Sequence, residues 1–340
     1  MKILKLGDLH FGVKQDSVWM QNIQRLAIEN AIKYSKENGI TKWIQTGDWF
    51  DVRKAITHKT MEFTREIAQK IMAAGIEVDV IVGNHDMAMK QKIHPNACNE
   101  LLSQFPNFTV YNNIQTVDYD GCKIDLCPWI CEENKDEILQ HINSTKAKYC
   151  IGHFELSGFY FYKGMKSNGE DPAFLRKYDQ VWSGHFHTIS ENRNIKFIGT
   201  PYSITSGDEN DPRGFWIFDT DTKESEFIQN PVMWHQRIDY PCTINFNAFK
   251  GLSVRVFVSK MDDKFAKFET ELESVVHEMK VIVNVEKADN NEENDCIVAP
   301  VVVKSMHEII TDYIETIPDL TDVEKEKTNK LALSLYNDCN

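Results

Sequence analysis

Seven short, mainly apolar runs punctuate the first 200 positions: KILKLGD, TKWIQTGD, VDVIVGNHD, CKIDLCPW, KYCIGH, QVWSGH and IKFIGT. Their length and abrupt polar endings predict strands. Between them, residues 18–37, 58–74, 94–104 and 132–143 repeat apolar side chains at helical spacing, as in Met61, Ile67, Ala68 and Ile71. Strands alternating with amphipathic helices predict a layered α/β domain whose helices cover the sheet faces. From Gly214 the pattern changes to GFWIFDTDTKESEFIQ, two strand-like stretches around an Asp/Thr-rich turn, which predicts a hairpin at the far edge of a second sheet.

Beyond Pro241 a smaller α+β unit is expected, with a strand at 253–259, a helix over 264–277 and a strand at 280–285. The polar stretch ADNNEEND at 288–295 reads as a loop or linker. After it, Met306, Ile309, Ile310, Tyr313, Ile314 and Ile317 fall on one helical stripe that Pro318 ends, and a second helix is expected over 321–336. The chain thus divides into residues 1–240, 241–287 and 288–340, without internal repeats.

The chemistry lies at the strand ends. Five apolar runs finish in glycine followed at once by metal-capable residues: Gly7-Asp8-Leu9-His10, Gly47-Asp48, Gly83-Asn84-His85-Asp86, Gly152-His153 and Gly184-His185-Phe186-His187. Ligands of open α/β sheets collect outside the carboxyl ends of the strands, where glycine permits sharp turns and close approach. The loops are therefore expected to meet. Together they bring Asp8, His10, Asp48, Asn84, His153, His185 and His187, an oxygen and imidazole set suited to manganese, iron or zinc. Seven donors exceed one ion's needs, and a carboxylate such as Asp48 can bridge two cations, an arrangement suited to phosphoester hydrolysis. A single histidine or aspartate after a strand is commonly a cap or turn residue, but these loops hold five of the chain's eleven histidines.

Composition limits the setting. With 340 residues, 42% hydrophobic and 26% charged, and a mean hydropathy of −0.42, the chain is an ordinary globular protein of about two domains rather than a disordered or fibrous one. No apolar run approaches the roughly 18 residues a membrane span requires, and no signal peptide is expected. Eight scattered cysteines without CxxC pairs are expected reduced and mostly buried, in the cytoplasm. The net charge is −13; residues 1–240 hold 27 Lys+Arg against 32 Asp+Glu, and residues 241–340 hold 11 against 19. Such a chain is a poor match for a phosphate backbone unless metals, local basic patches or partners compensate.

The motifs DLH, GDWFD, GNHD, GH and GHFH, in this order over residues 1–200, resemble those of calcineurin-like metallophosphoesterases. The short DxH, the GDWFD form and the C-terminal small domain with a helical tail resemble the SbcD-type, or meiotic-recombination-eleven, nucleases. The resemblance implies a β-sandwich flanked by helices, with a small α+β capping domain. It implies that Asp8, His10 and His187 hold one cation, Asn84, His153 and His185 a second, and that Asp48 bridges them. It also implies that His85 faces the scissile phosphate, with Asp86 orienting its ring. The expected cofactors are two divalent ions, manganese foremost and magnesium as the alternative. The implied activity is two-metal hydrolysis of DNA phosphodiesters, as a double-strand exonuclease and single-strand endonuclease in end processing, repair, recombination and replication.

Partner surfaces are expected at three places. Aromatic residues followed by cations, Tyr160, Tyr162 and Lys163, can stack bases and track phosphates, and Arg53 and Lys54 form a second basic candidate, although the aromatics of 154–162 could equally pack a loop onto the core. The resemblance implies a homodimer joined through helices near 58–74 and 94–104. It also implies an SMC-like ATPase on the stripe Met306, Ile309, Ile310, Tyr313, Ile314 and Ile317, for which packing on its own domain is the alternative. The motifs fix reaction type better than substrate, so a phosphoprotein phosphatase or cyclic-nucleotide phosphodiesterase is the competing enzyme. GNHD in place of GNHE weighs against the phosphatase. A non-catalytic scaffold of the same fold is the competing class, and its mark would be the loss of ligands or of His85, all of which are present.

Overall fold

The computed structural model describes residues 1–51, 53–162, 165–283, Ile314, Lys325 and 327–332. Two compact units are distinguished, Met1–Glu286 and Lys287–Asn340.

The first unit contains two six-stranded mixed sheets. One runs in the order Ser225–Gln229, Gly214–Asp219, Lys2–Leu6, Lys42–Gln45, Glu77–Ile81 and Phe108–Tyr111. Its last four strands are parallel, and Gly214–Asp219 pairs antiparallel with both of its neighbours. The second runs Ser190–Asn192, Ile195–Phe197, Gln180–Gly184, Tyr149–His153, Cys122–Cys127 and Gln115–Tyr119, with the four central strands parallel. The hairpin expected at the edge of a second sheet therefore edges the first one. Strand periodicity reveals which residues alternate but not which strand lies alongside.

Alternation sorts each strand onto two apolar faces. Ile3, Ile44 and Ile81 of the first sheet meet Ile124, Leu126, Ile151 and Trp182 of the second in one buried cluster. On the outer face of the first sheet, Leu4, Trp43, Val78 and Val80 pack with Met20, Ile23, Ala27 and Ile28 of the helix Val18–Glu37 and with Phe63, Ile67, Ala68 and Ile71 of the helix His58–Ala73. Thr57 caps the latter by accepting from the Thr60 amide at 3.0 Å. Met61, expected on the buried face, is 40% exposed. Ile138 and Ile142 of the helix Lys135–Ser144 cover the outer face of the second sheet. The helical pattern at 94–104 resolves into a strand, Lys92–Asn96, and a short helix, Ala97–Leu102.

A third sheet of three parallel strands, His235–Tyr240, Ser253–Val258 and Glu278–Val283, carries the helix Phe265–Glu273 and its own core of Val254, Val256, Phe265, Phe268 and Leu272. This sheet begins at His235, ahead of the expected boundary at 241. All six described cysteines are free, and five are buried. Cys296 and Cys339 lie outside the described residues, as does most of the predicted partner helix. Of its stripe only Ile314 is described, helical and buried.

Candidate metal centre

All eight parallel strands of the two large sheets point their carboxyl ends at one edge, so the glycine-led loops converge there, as ligand-binding loops of α/β sheets do. Main-chain hydrogen bonds lace them together. The Asp48 carbonyl accepts from Leu9 and His10 at 2.9 and 3.0 Å, and the Val82 carbonyl accepts from Trp129 at 2.8 Å across the two sheets. The glycines are spatial necessities: a Cβ on Gly83 would stand 2.3 Å from Asp48 Oδ1, and one on Gly184 would stand 2.5 Å from Asp8 Oδ1. His10, Asp48 and His185 adopt left-handed backbone angles, with φ of 47°, 55° and 85°. Such conformations cost energy and persist where surrounding contacts over-determine them.

The donors expected from the sequence fall into two adjoining groups, Asp8 with His10 and His187, and Asp48 with His153 and His185. In the first, His10 Nε2 and His187 Nε2 face each other at 3.0 Å, and Asp48 Oδ2 lies 4.0 Å from His10 Nε2. In the second, His153 Nε2 lies 2.9 Å from Asn84 Oδ1 and 3.2 Å from Asp48 Oδ2, while His185 Nδ1 lies 3.0 Å from the same Asn84 oxygen. Asp48 touches both groups. His153 donates its Nδ1 hydrogen to the Thr46 carbonyl at 2.8 Å. That tautomer turns the lone pair of Nε2 toward oxygens that also only accept.

A pocket of converging acceptors needs a proton or a cation. His153 shows the first solution: burial opposes its charge, but Asp48, Asp8 and the Thr46 carbonyl outweigh burial and push it up to about 9. Burial also opposes ionisation of Asp48, yet His153, His10 and His85 hold it well below the usual carboxylate range. Burial and the nearby Asp48 charge, opposed by His153 and His10, raise Asp8 to about 7. His185 and His187 are pushed down to about 3, first by burial and then by His153 and His10 respectively. They stay neutral, the form that binds metal. Asp8 Oδ1 is buried without a hydrogen-bond partner, a cost a cation would remove. The residues present therefore fit divalent-cation binding.

His85 is half-buried beside this centre. Its amide donates to Asp48 Oδ1 at 2.7 Å, and its Nδ1 lies 2.6 Å from the main-chain carbonyl of Asp51. A carbonyl only accepts, so Nδ1 carries the hydrogen and Nε2 is left for another partner. Asp86, expected to orient this ring, does something else. Its carboxylate is buried and accepts the amides of Gly83, Asp48 and Phe50 at 2.8, 2.9 and 3.0 Å. The family resemblance implies a contact with His85. The tight turn instead sends the two side chains in different directions, and Asp86 pins the 47–50 loop to the 83–86 loop.

Sequence reasoning missed Asp51, whose Oδ1 lies 3.2 Å from His10 Nδ1. It is the final residue of GDWFD, and its place in that motif was the available signal. Trp129, packed edge-on or tilted at 5.8 Å from His153 and 5.0 Å from His185, was also missed. With His153, Glu155 and Phe174 it lines a cleft of about 500 Å³.

The described residues among the expected DNA contacts lie on the loop after Asp51 and in the strand Tyr160–Tyr162. Arg53 is half-buried and Lys54 exposed on the loop after Asp51, and Tyr160 is 44% exposed. Tyr162 lies in the short strand Tyr160–Tyr162, and Lys163 is outside the described residues. Phe154 and Phe159, from the same aromatic stretch, are core residues. No described helix is long and apolar enough to cross a membrane.

No protein-family model matches the chain. It is 56% identical over 338 residues to exonuclease subunit 1 of Enterobacteria phage T4, an alignment covering 99% of this chain and 98% of that protein. The sequence as a whole had pointed the same way, toward the nuclease subunit of the T-even bacteriophage recombination endonuclease.

Proposed function

The chain belongs to the family of exonuclease subunit 1 of Enterobacteria phage T4, and we propose from that footing that it is a metal-dependent DNA nuclease. It hydrolyses phosphodiesters as a double-strand exonuclease and single-strand endonuclease, as one subunit of a complex. The observation that carries the reading is the convergence of two buried donor groups on a shared Asp48, with His85 beside them.

Asp8, His10 and His187 would hold one divalent ion, Asn84, His153 and His185 the other, and Asp48 both. When bound, the pair supplies Lewis-acid charge for the phosphoryl oxygens and eases deprotonation of water. The remaining work is done by side chains. The Asp51 carbonyl fixes the His85 ring through Nδ1, and Nε2, when the ring is doubly protonated, would donate its proton to the leaving oxygen. Asp86 keeps Asp48 and His85 in register by tying their loops. Arg53, Lys54, Tyr160, Tyr162 and Lys163 contact DNA, and an acidic chain that relies on an SMC-like ATPase partner for its grip reconciles charge with substrate. The small sheet acts as a cap, the chain forms a homodimer, and the complex works in the host cytoplasm in repair, recombination and replication. Manganese is the favoured ion.

The test is hydrolysis of end-labelled linear duplex by the purified chain with Mn²⁺ or Mg²⁺, beside a small phosphodiester. Mn²⁺-dependent shortening that His85→Ala lowers about 10²- to 10⁴-fold is expected. Cleavage of the small diester alone, with the ATPase subunit supplied, would overturn the nuclease reading.

A further inference from the structure

Asp51 offers two different groups to the two most chemically loaded histidines of the site. Its carboxylate Oδ1 lies 3.2 Å from His10 Nδ1, and its main-chain oxygen lies 2.6 Å from His85 Nδ1. The rings of His10 and His85 meet edge to face, 5.0 Å between centroids. Both contacts use Nδ1: the one to His85 is a hydrogen bond to an oxygen that only accepts and selects the tautomer that leaves its Nε2 unprotonated in the neutral ring, while the one to His10 is a close approach of the carboxylate to a buried nitrogen that has no hydrogen-bond partner. The Nε2 of His10 faces His187 and Asp48.

We propose that Asp51 is the shared positioning residue of the centre: its carboxylate aims and polarises His10 toward one cation, while its carbonyl independently aims His85 toward the phosphate. The inference rests on the metal reading given above. It separates two effects usually merged when a residue next to a site is mutated, because a side-chain substitution removes the first contact and leaves the second. His10, His85 and Asp51 also form a third cluster of donor atoms within reach of one another, so the competing role for Asp51 is that of a metal ligand. A carboxylate at 29% exposure that approaches His10 at Nδ1, the ring nitrogen other than the one that faces His187, favours the positioning role.

The decisive experiment is Mn²⁺ titration of the full chain by calorimetry, for wild type, Asp51→Ala and Asp51→Asn. Two binding events are expected in all three proteins. In Asp51→Ala one event weakens by about 10- to 100-fold, the usual effect of losing an orienting partner, and the other stays within twofold. Asp51→Asn, whose amide oxygen still accepts, recovers part of the loss. Alongside, nitrogen-detected histidine spectra of the metal-free chain should show the His10 Nδ1 proton shifted in Asp51→Ala and the His85 Nδ1 proton unmoved.

Unchanged titrations with an unmoved His10 signal would overturn the proposal. Complete disappearance of one binding event in both variants would make Asp51 a ligand instead, and a shift of the His85 proton would refute the independence of the two contacts. Absence of any Mn²⁺ binding by wild type would sink the metal reading itself, whereas the histidine spectra would still report on the two contacts.

Discussion

The two halves of the donor cluster are oriented by different kinds of partner. His153, fully buried, hands its Nδ1 hydrogen to a neutral main-chain carbonyl of the strand-end residue Thr46. His10, equally enclosed, presents Nδ1 to the carboxylate of Asp51, which sits on a loop and is 29% exposed. A carbonyl belonging to a sheet cannot be mutated away and moves little, whereas a loop carboxylate adds charge and can move with what the loop touches. Arg53 and Lys54 follow Asp51 on that loop. The half around His153 is thus anchored by the main chain at a strand end, and the half around His10 and His85 by one loop residue.

Removing the residue common to both halves should have the largest effect. Asp48→Ala is expected to abolish tight binding of both ions and to lower turnover beyond the roughly 10- to 100-fold associated with an orienting partner. Calorimetry together with rate measurements checks this, and retention of one tight Mn²⁺ would show that the halves are independent. Asp86→Ala strikes the frame instead. It leaves three buried amides without an acceptor, each lost partner costing about 1–3 kcal/mol. A lowered Tm and weaker binding of both ions are expected, with no selective change at His85. A fall in turnover at unaltered stability would restore the ring-orienting role that the family resemblance implies.

Acidity sharpens the comparison with a smaller effect. In the metal-free protein His153, near 9, is protonated at pH 7, and Asp8, near 7, is partly so. A ligand must lose its proton to bind metal. Affinity should therefore rise with pH through about 7 to 9 and then level off, with protons released on binding. His185 and His187, near 3, release none. Titrations in buffers of different ionisation enthalpy count these protons, and affinity independent of pH across that range would be inconsistent with the anchor described.

The strand ends were legible because an apolar run that stops at Gly-Asp, Gly-Asn or Gly-His leaves few alternatives for the residues after it. The helix Val18–Glu37 was legible through its 20-residue periodicity. What stayed hidden depended on side-chain direction and on neighbours distant in sequence. The strand Gln115–Tyr119, QTVDY, has too little apolar contrast to stand out, and Phe108–Tyr111 is only four residues long. The stretch HQRIDY alternates but is bounded by Pro241 only at its far end, so the small sheet was started too late. Asp86 and Asp51 were both in view within quoted motifs, but only the turn geometry tells which of them meets His85. Whether Phe154 and Phe159 pack a loop or stack bases stayed open, because neither period nor composition distinguishes a core ring from a stacking one.

The central claim is a two-ion centre joined through one carboxylate. Counting Mn²⁺ per chain after equilibrium dialysis, with electron paramagnetic resonance of the loaded protein, tests it most directly. Two ions per chain with an exchange-coupled spectrum that Asp48→Ala eliminates is the predicted result; a single ion, or two ions giving uncoupled signals, would contradict it.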